Sequence, residues 1–240
     1  MSLALEYRKM KRTGFFPAFL GGGILAAIVP AAELFFRRDS YTTGAESPLS
    51  MVLGSNWQMM AMLNILLIVS GACIMYHTEY ADRGYDKMRT LPIKESAIFF
   101  QKVIVMTGMC CLIFIIEAAA ATLCISHWFA FYPGFSEELL KSFGYFFLLS
   151  LPVILTSLLI ASACRNMWIS LGIGVICVFT ATLLPAKSFV LSLFPFALPF
   201  HTLAGTPHQE IPGFMAASVL ETTILGIAEL IYLKIRRSLL

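Results

Sequence analysis

Six stretches of about 20 mostly apolar residues recur along the chain, at about 15–36, 57–76, 103–126, 143–163, 167–185 and 213–233. Each has the length an α-helix needs to cross roughly 30 Å of hydrocarbon at about 1.5 Å per residue. Ile113-Phe114-Ile115-Ile116 and Leu148-Leu149-Ser150-Leu151 show no two-residue alternation, so the pattern predicts helices and excludes the strands of a membrane barrel. The expected fold is an all-α integral membrane protein, one transmembrane domain over residues 1–240 with six spans. Residues 1–14 set Leu3, Leu5, Tyr7 and Met10 among Arg8, Lys9, Lys11 and Arg12, a pattern that predicts a short amphipathic helix lying on the membrane surface. Residues 186–212 carry Phe189, Phe194, Phe196 and Phe200 between Pro195, Pro199, Pro207 and Pro212. That segment is too short and too broken by proline to cross a bilayer, so a re-entrant segment capping the outer end of the bundle is expected before the last span.

Between the second and third spans the pattern changes. Residues 77–102 hold Glu79, Asp82, Arg83, Asp86, Lys87, Arg89, Lys94, Glu95 and Lys102. At about 100° per residue, Tyr80, Gly84, Met88 and Leu91 fall on one helical face and Asp82, Asp86 and Arg89 on the opposite one. Glu79 precedes Arg83 by four residues, the favourable order for an intrahelical pair, and Pro92 stops the helix. The plain alternative is a solvated loop closed by a proline turn.

Composition agrees with the spans: 58% of residues are apolar and 13% charged, with a mean hydropathy of +0.80. An average soluble domain carries roughly 25% charge. Lysine and arginine set the orientation. With both termini inside, thirteen basic residues (Arg8, Lys9, Lys11, Arg12, Arg83, Lys87, Arg89, Lys94, Lys102, Arg165, Lys234, Arg236, Arg237) lie on the cytoplasmic side and four (Arg37, Arg38, Lys141, Lys187) outside. The net charge of +3 therefore reads as an inner-leaflet signature facing lipid, with no argument for nucleic acid. Val29-Pro30-Ala31-Ala32 after a basic start imitates a signal-peptide cleavage site, but the apolar run is long for a signal core and its removal would break the charge asymmetry, so retention is expected. The six cysteines fall within spans or at the cytoplasmic edge, where no disulfide framework is expected, and adjacent Cys110 and Cys111 point to different helix faces and make poor joint metal ligands. His201 and His208 read as ordinary loop histidines. Gly21-Gly22-Gly23 has no following lysine, so it is no phosphate loop and suits close helix packing.

The run Glu79-Tyr80-Ala81-Asp82-Arg83-Gly84-Tyr85-Asp86-Lys87-Met88-Arg89-Thr90-Leu91-Pro92-Ile93-Lys94, with Lys102 opening the next span, resembles the first cytoplasmic loop of ABC-2 type transporter permeases. The six-span plan, the basic amphipathic N-terminus and the broken segment before the last span resemble that family too. The resemblance implies a permease of the type V exporter fold that is not itself an enzyme and carries no cofactor, ATP and Mg being bound by a partner ATPase. It implies two ATPase subunits and a second permease subunit, identical or paralogous, in a bacterial plasma membrane. Glu79, Tyr80, Arg83, Gly84, Tyr85, Met88, Leu91, Pro92 and Lys102 would form the coupling element, with the Tyr80/Gly84/Met88 face docking on the ATPase. Arg165, in the short turn between spans four and five, would make a second contact. The compact length is most similar to the lantibiotic-immunity branch, which implies export or expulsion of an amphipathic or cationic substrate, an antimicrobial peptide.

Three acidic residues lie deep inside spans, Glu117 in the third and Glu221 and Glu229 in the sixth, while Glu33, close to the outer end of the first, can reach the interface. An ionisable group at bilayer depth costs a few kcal/mol unless it faces a partner or water, roughly 3 kcal/mol on insertion scales. They are structural glutamates with Thr122, Thr222 and Thr223 as polar company, the lining of a substrate path, or a proton relay. The last would make the chain a proton-coupled secondary drug transporter using Glu117 or Glu221, although no inverted repeat is visible. An intramembrane protease is disfavoured, because the loop acids lack a membrane-depth histidine partner.

Overall fold

The computed structural model describes residues 3–11, 13–37, 47–80, 95–164, 166–184 and 188–238. These residues form α1 (Leu3–Lys11), α2 (Phe15–Arg37), α3 (Pro48–Tyr80), α4 (Glu95–Trp128), α5 (Phe135–Ala163), α6 (Met167–Leu183), a short α7 (Phe189–Ser192), a 3-10 turn (Leu198–Phe200) and α8 (Ile211–Ser238). No strand occurs among them. Five helices, α2, α3, α4, α5 and α8, are long and apolar enough to cross a membrane, whereas α6 has 17 residues, a rise of about 25 Å. α3, α4 and α5 run past their apolar stretches by several residues at one or both ends, to 33, 34 and 29 residues. Their helices continue into the polar margins because nothing in those flanking turns breaks the backbone ladder.

α3 is the axis of the bundle. Its buried residues run from Leu49 to Glu79 at about two per turn, a broad stripe along the whole helix, while Gly54, Ser55, Gln58 and Met59 leave one side of its first half exposed. α2, α4, α5 and α6 all pack on it. Close approach comes from glycine. A Cβ on Gly22 would lie 2.2 Å from Leu67 of α3, one on Gly23 would lie 2.7 Å from Ile113 of α4, and one on Gly174 of α6 would lie 2.3 Å from Val69 of α3. In hydrocarbon, helices gain little from burying apolar surface against each other, so small residues that bring backbones together and side-chain hydrogen bonds carry the association.

α5 and α8 show that principle at one residue. Pro152 sits inside α5 and has no N–H for the carbonyl four residues back, Leu148. The Ser218 hydroxyl of α8 donates to that carbonyl at 2.6 Å. A neighbouring span thus satisfies the acceptor that proline freed, as membrane interiors require. Ser218 and Glu229, three turns apart on α8, are both fully buried, and Glu221, Thr222, Leu225 and Gly226 between them are half-buried.

At the end of the bundle away from the chain termini, residues 188–210 fold over α3 and α5. Phe196, Ala197 and Leu198 are fully buried, and the Trp57 indole donates to the Pro199 carbonyl at 3.1 Å. His201 stacks on Phe214 with centroids 4.2 Å apart, and burial holds its imidazole below the ordinary histidine range. The α4–α5 hairpin is tied down at the same end: the Tyr132 hydroxyl donates to Glu138 at 2.5 Å, and Glu138 also accepts from Ser47, whose Oγ accepts the Ser50 N–H in the first turn of α3. Burial, then the bond to Glu138, pushes the Tyr132 phenol up to about 12.

Ser218→Ala is expected to lower stability in mixed detergent by about 1 kcal/mol, read from unfolding in graded SDS. In a Pro152→Ala background the same change is expected to cost almost nothing, because alanine there returns an N–H to the Leu148 carbonyl.

Candidate functional site

The polar side chains that the apolar spans cannot leave unpaired gather at the end of the bundle that carries α1. Glu79 lies in the last turn of α3 and Lys102 in the second turn of α4. Both are buried, at 3% and 1% exposure. The Lys102 Nζ stands 2.9 Å from Glu79 Oε1, and Lys9 of α1 stands 3.5 Å from the same oxygen. Lys102 also donates to the Met75 carbonyl at 3.2 Å and sits 5.0 Å above the Tyr76 ring. An ammonium against the carbonyls of a helix C-terminus gains from the helix dipole, and the aromatic face adds a cation–π contact.

Tyr76 stacks on Tyr80, and the Tyr80 hydroxyl donates to the Ser162 carbonyl of α5 at 2.5 Å. The Ser162 hydroxyl lies 2.8 Å from Glu229 Oε1 of α8 and 2.9 Å from the Leu159 carbonyl. Lys9, Glu79, Lys102, Tyr76, Tyr80, Ser162 and Glu229 therefore form one polar layer joining α1, α3, α4, α5 and α8. Because charge is expensive to bury singly and tolerable when paired and hydrogen-bonded, each member fixes its neighbours.

The sequence set Glu79, Tyr80 and Lys102 in one expected coupling element and Glu229 among the acids of the spans, and the structure brings all four into one layer. The Tyr80 hydroxyl turns inward to Ser162. Arg83, Gly84, Tyr85, Met88, Leu91, Pro92 and Arg165 lie outside the described residues. Ser162 went unnoticed in the sequence, where one serine among many apolar residues near a span end carries no signal.

Glu117 is buried at mid-span, and its partner is Asn64 of α3, whose Nδ2 donates to Oε1 at 2.8 Å. The threonines expected as polar company bond within their own helices instead, Thr122 to Ala118, Thr222 to Ser218 and Thr223 to Leu220. A hydroxyl one turn from a carbonyl of its own helix reaches the second lone pair of that acceptor more readily than a neighbouring helix. Asn64, an amide in the middle of an apolar run, was the available signal. Glu117 Oε2, Asn64 Oδ1 and Glu221 Oε2 are buried without a hydrogen-bond partner among the described residues. Glu117 thus bonds Asn64 at mid-span, whereas Glu229 bonds Ser162 in the polar layer.

Cys110 is buried and Cys111 exposed, so the two thiols do face different ways. Among the described residues no three His, Cys, Asp or Glu side chains are placed to hold a metal ion. An apolar groove of about 850 Å³ opens between α2 and α4, lined by Ile24, Ile28, Ala119, Ala120 and Leu123 and rimmed by Ser126, His127 and Trp128.

Lys102→Met is expected to destabilise the protein by about 3–5 kcal/mol, because Glu79 keeps its burial and loses its nearest countercharge. Lys9→Met, at the half-exposed rim, is expected to cost less than about 1 kcal/mol. Replacing Glu79 and Lys102 together by methionine is expected to recover most of the loss, all three read from thermal unfolding in detergent.

With the geometry in place, comparison with known proteins gives one match. Residues 2–181, about three quarters of the chain, match the family model described as ABC-2 family transporter protein. No curated protein and no solved structure matches the chain.

Proposed function

The chain belongs to the ABC-2 transporter family, and from that premise we propose that it is the membrane half of an exporter driven by two separate ATPase subunits and paired with a second permease subunit. Membership makes it a multi-pass membrane permease of an ABC transporter that associates with ABC ATPase partners. In the proposed reading both termini are cytoplasmic, the membrane is a bacterial plasma membrane, α6 is the sixth span and residues 186–212 form a re-entrant cap. Residues 77–102 then receive the ATPase, with Gly84 and Met88 docking and Arg165 making a second contact.

The observation that carries this reading is the buried Glu79–Lys102 pair at 2.9 Å. It closes the base of the loop between α3 and α4, so a push on that loop reaches two spans at once. The cargo proposed is an amphipathic or cationic peptide, with lantibiotic immunity as the physiological setting. The apolar groove between α2 and α4 with its polar rim suits a molecule with an apolar body and a polar end.

Affinity purification of the tagged chain in mild detergent is expected to bring an ABC ATPase with it. Met88→Asp and Gly84→Trp are each expected to reduce that ATPase to background while the permease still reaches the membrane, and cells carrying them are expected to lose protection against cationic peptides. Undiminished recovery of the ATPase would remove the docking assignment.

A second reading, a proton-coupled secondary transporter, draws on the buried, unpartnered Oε2 of Glu117. Glu117→Gln separates the two. A glutamine can still accept from Asn64, so the ATP-driven exporter is expected to keep its activity, whereas a proton carrier would lose transport altogether.

A further inference from the structure

The polar layer connects more than the base of one loop. Tyr80 is the last residue of α3 before the proposed ATPase-docking loop, and its hydroxyl bonds the Ser162 carbonyl at 2.5 Å. Ser162 is the penultimate residue of α5, three positions before Arg165, the proposed second ATPase contact. One hydrogen bond therefore joins the end of α3, which leads into the proposed docking loop, to the end of α5, which leads to Arg165. The Ser162 hydroxyl then reaches Glu229 of α8 at 2.8 Å.

α8 packs mainly on α5, with a small contact to α4, and two polar contacts fix it there. Ser218 holds the Leu148 carbonyl and Glu229 holds Ser162. Pro152 lies between those attachments, so α5 lacks one backbone hydrogen bond between the segment tied to the far end and the segment tied to Tyr80, the place where a helix bends most readily. A glutamate with no exposure inside an apolar span is costly unless its contacts compensate.

We infer that Tyr80, Ser162 and Glu229 are positioning residues of a transmission joint, which passes movement of the docking loop through the end of α5, pivoting at Pro152, to the last span. The inference rests on the ABC-permease reading and assigns Glu229 to power transmission in place of a substrate path.

Hydrogen–deuterium exchange on the whole permease–ATPase complex in lipid vesicles, with and without ATP plus vanadate, tests it without a known cargo. In the wild-type complex, trapping is expected to change exchange both in peptides covering 81–94 and in peptides covering 226–238. In Tyr80→Phe, which keeps the ring, and in Glu229→Ala, the change at 81–94 is expected to persist and the change at 226–238 to disappear. Glu229→Gln, which still accepts from Ser162, is expected to retain both. A full response at 226–238 in Tyr80→Phe and Glu229→Ala, with only thermal stability lowered, would show a merely structural contact and overturn the joint. Failure of the wild-type loop itself to respond to nucleotide would overturn the permease reading beneath it, a result distinct from loss of the α8 response alone.

Discussion

The buried ion pair of Glu79 and Lys102 is the contact on which the terminal end of this bundle depends. Two charges brought out of water at 2.9 Å hold together because each has further partners: Lys9 for the carboxylate, the Met75 carbonyl and the Tyr76 ring for the ammonium. Such a pair adds little net stability over a well-packed apolar substitute, but it tolerates only one relative placement of the elements that carry it. It therefore fixes the end of α3 against the start of α4, and α1 against both, at the point where the intervening loop leaves the membrane domain.

The rest of the bundle follows a related economy of polar contacts in an apolar medium. Glycines 22, 23 and 174 let backbones approach, and several polar side chains at depth find a partner on a neighbouring helix, although Ser157 Oγ has none among the described residues. Asn64 meets Glu117, Cys73 lies 3.2 Å from Ser170, and Ser218 answers the carbonyl that Pro152 frees. α8 is the clearest case. Much of its surface is exposed, including Leu220, Ile224, Ile227 and Ile231, and its seat on α5 is defined by the buried polar anchors Ser218 and Glu229. A proline in one helix and a serine 66 positions later in another act as a single unit.

Much of this architecture could be read along the chain. Long apolar stretches without alternation specified helices, the basic and apolar mixture near the N-terminus specified α1, and the charged stretch at 77–102 carried Glu79 and Lys102, which the structure pairs. The resemblance of that stretch to ABC-2 permeases agrees with the family match over residues 2–181. Less legible were the pairings. Glu117 was given threonine company and has Asn64, and nothing in the sequence pointed to Ser162 as the partner that Tyr80 and Glu229 share. In each case the partner lies on another helix, and its distance in sequence, 53 residues for Asn64 and Glu117 and 82 for Tyr80 and Ser162, carries no periodic signal.

What the sequence determined by itself is therefore what depends on one helix at a time: which segments are apolar and long enough to cross a bilayer, which ends carry charge, and where proline and glycine interrupt. Those properties follow from transfer free energy and local backbone geometry, which are set by neighbours within a few turns. Tertiary structure alone decided which polar group meets which, because every buried hydrogen bond between spans depends on the rotation and depth of two helices packed together. That is why Glu229, one of two acidic residues in the last span, acquires a place only when α3, α5 and α8 converge on Ser162.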